Sequence, residues 1–293
     1  MRRPATYRAY LELLRPGQWI KNAFVLVGLL FGHAYADPGL LAAALGATAA
    51  FCLASGAVYA FNDARDAPQD RDHPDKHGRP VARGALTPGE ADAAAALAAL
   101  AALALAAWSG WRVAAIVAAY LALSVAYTLR IKHVPVLDVI TIAAGFMLRL
   151  LAGTTGIGIA PSNWLLACGF LLTLFLGFAK RRAEIGRLAA DAGRHREVLQ
   201  AYSVGFLDAA VAFCAAGMTV AYAAYTLAED TALLHGTGRL ILTLPWVLLG
   251  TLRYLYRLRF RGGGGDPADE LLRDPLLAAA VGGWIATVLW LIG

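Results

Sequence analysis

The chain has 293 residues, of which 59% are apolar and only 16% charged, with a net charge of +6. A soluble domain carries about 25% charged residues, and a disordered chain is poor in apolar residues rather than rich in them, so both classes are excluded. The cysteines, Cys52, Cys168 and Cys214, are odd in number and each lies in an apolar stretch, which excludes a disulfide scaffold. A polytopic membrane protein remains.

Nine apolar segments follow one another along the chain, at 20–36, 39–61, 89–108, 111–129, 136–156, 161–179, 204–228, 239–256 and 275–293. The run after Arg2 and Arg3 starts late and ends at Asp37-Pro38 rather than at a small-residue cleavage site, so no cleavable signal peptide is expected. If the segments alternate across the bilayer, Arg112 and Arg239 are the basic residues on one side. Arg149 falls inside a span, and all the other Lys and Arg residues face the opposite side. Basic loops mark the cytoplasmic face. The expected fold is therefore all-α: one transmembrane domain, 1–293, of nine helices, with the N-terminus cytoplasmic and the C-terminus outside. The polar loops 62–88 and 180–203 would cap a site on the cytoplasmic face of a bacterial inner membrane. The excess positive charge is explained by orientation, and no aromatic-interleaved basic module points to nucleic acid. Alanine-rich stretches such as 93–107 suit close helix packing and would permit a homo-oligomer.

The polar punctuation carries the chemistry. Arg15-Pro16-Gly17-Gln18-Trp19-Ile20-Lys21-Asn22 reads as a headgroup-level anchor, with Lys21 and Asn22 able to reach a cavity at the cytoplasmic face. After the second span, Asn62 precedes Asp63, Asp66 and Asp70, whose i, i+3, i+7 spacing places them on one helical face. Three carboxylates so close repel one another unless a cation neutralises them, and hard oxygen ligands suit Mg²⁺ together with substrate phosphates. Lys76, Arg79 and Arg83 follow at once, so acids for a metal lie beside bases for phosphate. A solvated acidic loop is the plain alternative. Pro68 is expected to break or kink the helix between Asp66 and Asp70.

A second polar group closes the fourth span and enters the fifth: Tyr127, Arg130, Lys132, Asp138 and Arg149. Asp138 and Arg149 share a helical face but stand about 16 Å apart along the axis, too far for direct contact, so a phosphate-bearing substrate is expected between them. Lys180-Arg181-Arg182-Ala183-Glu184 serves equally as a stop-transfer cluster or a phosphate clamp. His73 and His77 lack the context of a zinc site. Gly262 to Gly265 reads as a flexible linker rather than a phosphate cradle.

The NDxxDxxxD stretch at Asn62–Asp70, the Tyr127–Lys132 pair and the nine one-sided spans resemble the UbiA superfamily of intramembrane transferases. Where that superfamily carries a second DxxxD motif, this chain has Asp138 but Ile142, and continues as Gly145-Phe146-Met147-Leu148-Arg149. With the RPxQWxKN opening, the DRxHPxK-like stretch at Asp70–Lys76, Arg79-Pro80, Lys180-Arg181 with Glu184, and the tail Gly265–Asp274, this resembles the decaprenyl-phosphate phosphoribosyltransferase branch. The resemblance implies nine helices around a central cavity, and transfer of 5-phosphoribose from phosphoribosyl diphosphate to a polyprenyl phosphate. The product would be a lipid-linked pentose precursor for cell-envelope or glycolipid synthesis.

By that resemblance Asp63, Asp66 and Asp70 bind Mg²⁺ and, with Asn62, the donor diphosphate; Asp63, Asp66 and Asp138 are the catalytic acids. Lys21, Tyr127, Lys132 and Arg149 line the remaining cavity, and Lys76, Arg79, Lys180 and Arg181 are candidates for the 5-phosphate. The chemistry is consistent with these residues. Diphosphate leaves as a highly charged group that metal and cations stabilise, and the attacking phosphate is already an anion, so no general base is required. The alternatives are transfer of a prenyl group from a prenyl diphosphate to an aromatic acceptor, and a transporter, for which no internal repeat is evident. A topology reporter inserted within 180–203 is expected to read cytoplasmic; a periplasmic reading would overturn the arrangement.

Overall fold

The computed structural model describes residues 7–72, 76–188, 197–265 and 267–292; among them every regular element is helical. Parts of two expected features, His73-Pro74-Asp75 and residues 189–196 of the 180–203 stretch, lie outside the described residues, as does Asp266 in the tail. The helices are α1 (Tyr7–Leu14), α2 (Val27–Phe31), α3 (Pro38–Arg71), α4 (Pro88–Ser109), α5 (Trp111–Leu129), α6 (Leu137–Ala152), α7 (Asn163–Leu188), α8 (Glu197–Gln200), α9 (Val204–Leu227), α10 (Glu229–His235), α11 (Leu244–Phe260), α12 (Pro267–Arg273) and α13 (Pro275–Ile292). The chain forms two compact units, Met1–Ile131 with Gly145–Pro161, and Lys132–Ala144 with Ser162–Gly293.

Seven helical stretches among the described residues are long and apolar enough to cross a membrane. They correspond to seven of the nine expected segments. The eighth, 239–256, becomes a 3-10 turn, Leu240–Thr243, leading into α11; this stretch is paired with α10 across a 91° bend. The first, 20–36, is not one long helix. It winds as 3-10 helix over Pro16–Leu26, as α2, and as a further 3-10 turn over Ala34–Ala36. Apolar periodicity requires this stretch to be buried without fixing its winding, and its neighbours decide the rest. A Cβ at Gly153 would overlap the Val25 carbonyl, and one at Gly28 would collide with Thr154 and with the Gly153 carbonyl.

Local chemistry sets the helix starts in the first unit. Asp37 accepts from the Gly39 and Leu40 amides ahead of α3, with Pro38 at the first helical position. Thr87 and Glu90 form a capping box at α4, again followed by a proline. Ala91, Ala95, Ala98, Ala102 and Ala106 give α4 a small-residue stripe that is buried, which allows helices to approach closely where dispersion, not water, drives packing. Phe51, Val113, Val117 and Tyr120 fill the space around it. The core of the second unit joins Val139 of α6 with Phe175, Phe178, Leu207, Val211, Tyr254 and Leu258.

Pro68 does not end α3. The helix continues to Arg71 with the ring exposed, so the one backbone bond that Pro68 cannot make does not stop it. The stretch 62–71 is thus the end of a helix rather than a loop, and 180–188 is likewise the end of α7. At 34 residues, α3 is about 50 Å long, against about 30 Å for the hydrocarbon core, so its last turns project toward the headgroups. Gly153→Ala is expected to destabilise the protein by about 1–3 kcal/mol, read as a lowered thermal midpoint in detergent; an unchanged midpoint would show that the Val25 segment yields freely.

Candidate active site

Two ionic clusters stand out, one in each unit. In the first unit, the last turns of α3 carry Asn62, Asp63, Asp66 and Asp70. Asp63 and Asp70 are 1% and 3% exposed. One oxygen of Asp63, Oδ1, accepts from the guanidinium of Arg15 and, at 3.2 Å, from Arg79 Nη1. The same Arg79 nitrogen donates to Asp70 Oδ2 at 2.6 Å, so one arginine spans both acids. Lys76 Nζ lies 4.0 Å from the other Asp70 oxygen, and Asn62 donates to Asp66 at 2.8 Å.

Arg15 reads in sequence as a headgroup anchor; it is instead turned inward, with its guanidinium 4.8 Å from the Tyr59 ring and its backbone left-handed at φ 50. A non-glycine residue pays about 1–3 kcal/mol for such a conformation, and the contact with Asp63 is what holds it. The Arg-Pro-Gly tripeptide was the available signal of non-helical backbone, since a residue before proline is disfavoured in the right-handed helical region.

Deeper in the same unit, Arg149 is 6% exposed. It donates to Asn22 Oδ1 at 2.8 Å, to the Gly145 carbonyl at 2.9 Å and to the Tyr120 hydroxyl at 3.0 Å. Lys21 lies half-buried beside Asn22 in the 3-10 segment. Tyr127, expected to line the cavity, is half-buried two turns beyond Tyr120 on α5, and Tyr120 is the tyrosine that meets Arg149.

In the second unit, Asp138 in the first turn of α6 is completely buried, and both its oxygens are engaged. Arg181 of α7 donates to Oδ2 at 2.7 Å and Tyr202 to Oδ1 at 2.6 Å. Arg181 also reaches Glu184 at 2.7 Å. The Val136 amide donates to the Tyr202 hydroxyl at 2.5 Å from a backbone at φ 70, a genuine outlier for a β-branched residue. Burial and the Asp138 carboxylate push the Tyr202 phenol up, so it stays protonated and donating. Tyr202 has no sequence signal, because its partner lies 64 positions away. Lys180 is exposed on α7, and Lys132 is half-buried in the 3-10 turn Ile131–His133. Asp138 and Arg149 belong to different units and have different partners.

The tail adds a third lattice. Asp274 caps α13 by accepting from Leu277 at 2.9 Å, takes three contacts from Arg253 and one from Arg257, and Arg257 also holds Glu270 at 2.6 Å.

Magnesium suits the first cluster by its chemistry. Among the described residues, Asp63 Oδ2 is a buried side-chain oxygen with no hydrogen-bond partner, a cost that a ligand would remove. It lies on the same buried helix face as Asp70, with Asp66 beside them. No three acidic, histidine or cysteine side chains converge into a ready-made metal set among the described residues; Arg79 occupies the gap between Asp63 and Asp70.

Residues 23–270 match the UbiA prenyltransferase family, and the chain belongs to that family. It is 31% identical over 291 residues to the decaprenyl-phosphate phosphoribosyltransferase of Mycolicibacterium smegmatis, covering 95% of this chain and 90% of that one. It is 32% identical over 286 residues to the enzyme of the same name from Corynebacterium glutamicum, covering 94% and 84%. A UbiA homologue from Archaeoglobus fulgidus bound to DMAPP and Mg²⁺ superposes with a TM-score of 0.71 at 19% identity, covering 97% of this chain and 98% of that one, a likeness of fold.

The arginines and the amide cap hold the Asp274 carboxyl well below its usual range. A depressed carboxylate contributes stability that is complete above its unfolded value, about 3.9, and that fades as pH falls below it toward the folded one. Asp274→Asn is therefore expected to lower the thermal midpoint at pH 7 and to lose that disadvantage in strong acid. A variant equally stable at pH 7 would show the lattice to be dispensable.

Proposed function

We propose that the protein transfers 5-phosphoribose from phosphoribosyl diphosphate to a polyprenyl phosphate of the decaprenyl type and releases diphosphate. The near full-length likeness to enzymes bearing that name carries the reading. The paired buried acids and their cations support it, because they suit a diphosphate leaving group.

The acceptor phosphate is an anion near neutral pH and attacks C1 of the ribose with an oxygen lone pair, while the bond from C1 to the diphosphate oxygen breaks. No proton has to be removed from the nucleophile, so no general base is required. Asp63 and Asp70, with Asp66, would hold Mg²⁺, which supplies charge neutralisation for the departing diphosphate. Arg15, Arg79 and Lys76 bind the same oxygens, exchanging carboxylate partners for phosphate ones. In the second unit Asp138 and Tyr202 orient Arg181, with Lys180 next to it in sequence. On this reading Asp138 acts through Arg181. Lys21, Asn62 and Tyr127 complete the polar lining.

The one-sided basic loops favour nine membrane crossings with the N-terminus and the site on the cytoplasmic face of the plasma membrane, the broken stretch 16–36 and the bent pair α10–α11 each serving as one crossing. A water-soluble donor then meets an acceptor that cannot leave the bilayer, since each buried CH₂ contributes about 0.8 kcal/mol. The product is a lipid-linked pentose precursor for envelope or glycolipid synthesis.

The test incubates purified protein and Mg²⁺ with polyprenyl phosphate and labelled phosphoribosyl diphosphate. A labelled lipid is expected; none, together with turnover of a prenyl diphosphate and an aromatic acid, would overturn the reading in favour of prenyl transfer. Asp63→Asn is expected to lower kcat/KM by roughly a hundredfold or more in a protein with an unchanged elution profile. Full activity in that variant would remove the acids from the site.

A further inference from the structure

Arg149 presents an anomaly. It is a guanidinium buried inside a helical span, and the contacts it makes are to neutral groups. Its three nitrogens donate to Asn22, Gly145 and Tyr120. The rings of Tyr120, Phe146 and Phe51 lie 4.6, 5.2 and 5.4 Å from its centre, so apolar and aromatic surface surrounds it. A buried charge is costly unless well satisfied, and here satisfaction comes from a cage built by four segments of one unit.

What the cage grips is the 3-10 segment Pro16–Leu26. Asn22 is completely buried. Its carbonyl oxygen receives Arg149, while its amide donates to Ser55 at 3.2 Å and lies 3.4 Å from the Cys52 sulfur, both on α3. One asparagine thus ties α6 to α3 through a stretch of backbone that is not α-helical. The same stretch is packed tightly at Val25, whose carbonyl leaves no room for a side chain at Gly153. It begins at Arg15, held left-handed, whose guanidinium reaches Asp63. On α3 the contacts run Phe51, Ser55, Tyr59, Asp63, each one turn from the last, so the Arg149 cage, the Asn22 tie, the Arg15 stack and the buried acid lie along one face.

We propose that Arg149 and Asn22 form a brace that holds the 3-10 segment against α3 and so presents Arg15 to the diphosphate site at Asp63. Arg149 is then a positioning residue that never touches substrate, although its place in the sequence suggests a cavity-lining one. The proposal rests on reading Asp63 and Asp70 as that diphosphate site.

The probe is inorganic diphosphate with Mg²⁺, titrated calorimetrically into the purified full-length protein. Asn22→Ala and Arg149→Met are each expected to weaken binding by about tenfold, and the double variant by no more than either single one, since both remove one brace. Arg15→Met should weaken binding at least as much, and adding Arg149→Met to it should bring little further loss. Losses that multiply in these pairs would mean that Arg149 contacts the ligand directly, and would overturn the brace. So would wild-type affinity in the single variants, which leaves the diphosphate site itself intact. Wild-type protein that does not bind magnesium diphosphate would overturn the reading of the site and the brace with it. If Asn22→Ala or Arg149→Met does not elute as folded protein, Ser55→Ala and Tyr120→Phe carry the test: each is expected to weaken binding about two- to threefold, as for loss of one neutral hydrogen bond, and unchanged affinity in both would overturn the brace.

Discussion

A carboxylate withdrawn from water at the end of a long helix governs the first unit. Asp63 is almost fully buried, which is tolerable only if charge or hydrogen bonds are brought to it. Arg15 and Arg79 bring them from opposite directions in sequence, one from the segment before α2 and one from the turns after α3. Arg15 has to adopt a strained backbone to arrive, and Arg79 has to bridge a second acid. Even so, one Asp63 oxygen stays unfilled. Strain, paired cations and an unsatisfied oxygen at one spot are what a site poised for a charged ligand looks like.

The second unit solves a similar problem differently. Asp138 is buried with both oxygens satisfied, by an arginine and by a tyrosine whose own hydroxyl is held by a strained amide. A saturated carboxylate of this kind orients its partners. The two acids, similar in type and burial, thus differ in that one has both oxygens hydrogen-bonded and the other does not.

Much of this was legible from residue order. Charge scarcity and the length of the apolar runs specify membrane helices, and the i, i+3, i+7 acids specify a shared face, because α-helical geometry repeats every 3.6 residues regardless of what surrounds it. Pro68, expected to break or kink the helix, does not end it, since α3 continues to Arg71. The contacts of Arg15 with Asp63, of Tyr120 with Arg149 and of Tyr202 with Asp138 were unreadable because the partners are 48, 29 and 64 positions apart.

The sequence by itself determined that the chain is an all-helical membrane protein of the UbiA type, with its acids and bases gathered into a few polar stretches. Hydrophobicity and helical periodicity are local properties, and a string of residues carries them whole. Only the tertiary structure decided that 16–36 would wind as broken 3-10 and α turns, that Arg15 would face inward, and that Asp63 would keep an empty oxygen while Asp138 would not. Those outcomes depend on which backbone approaches closely enough to exclude a Cβ, and on which distant donor reaches a buried acceptor first. Both are distances between elements, and residue order does not encode them singly.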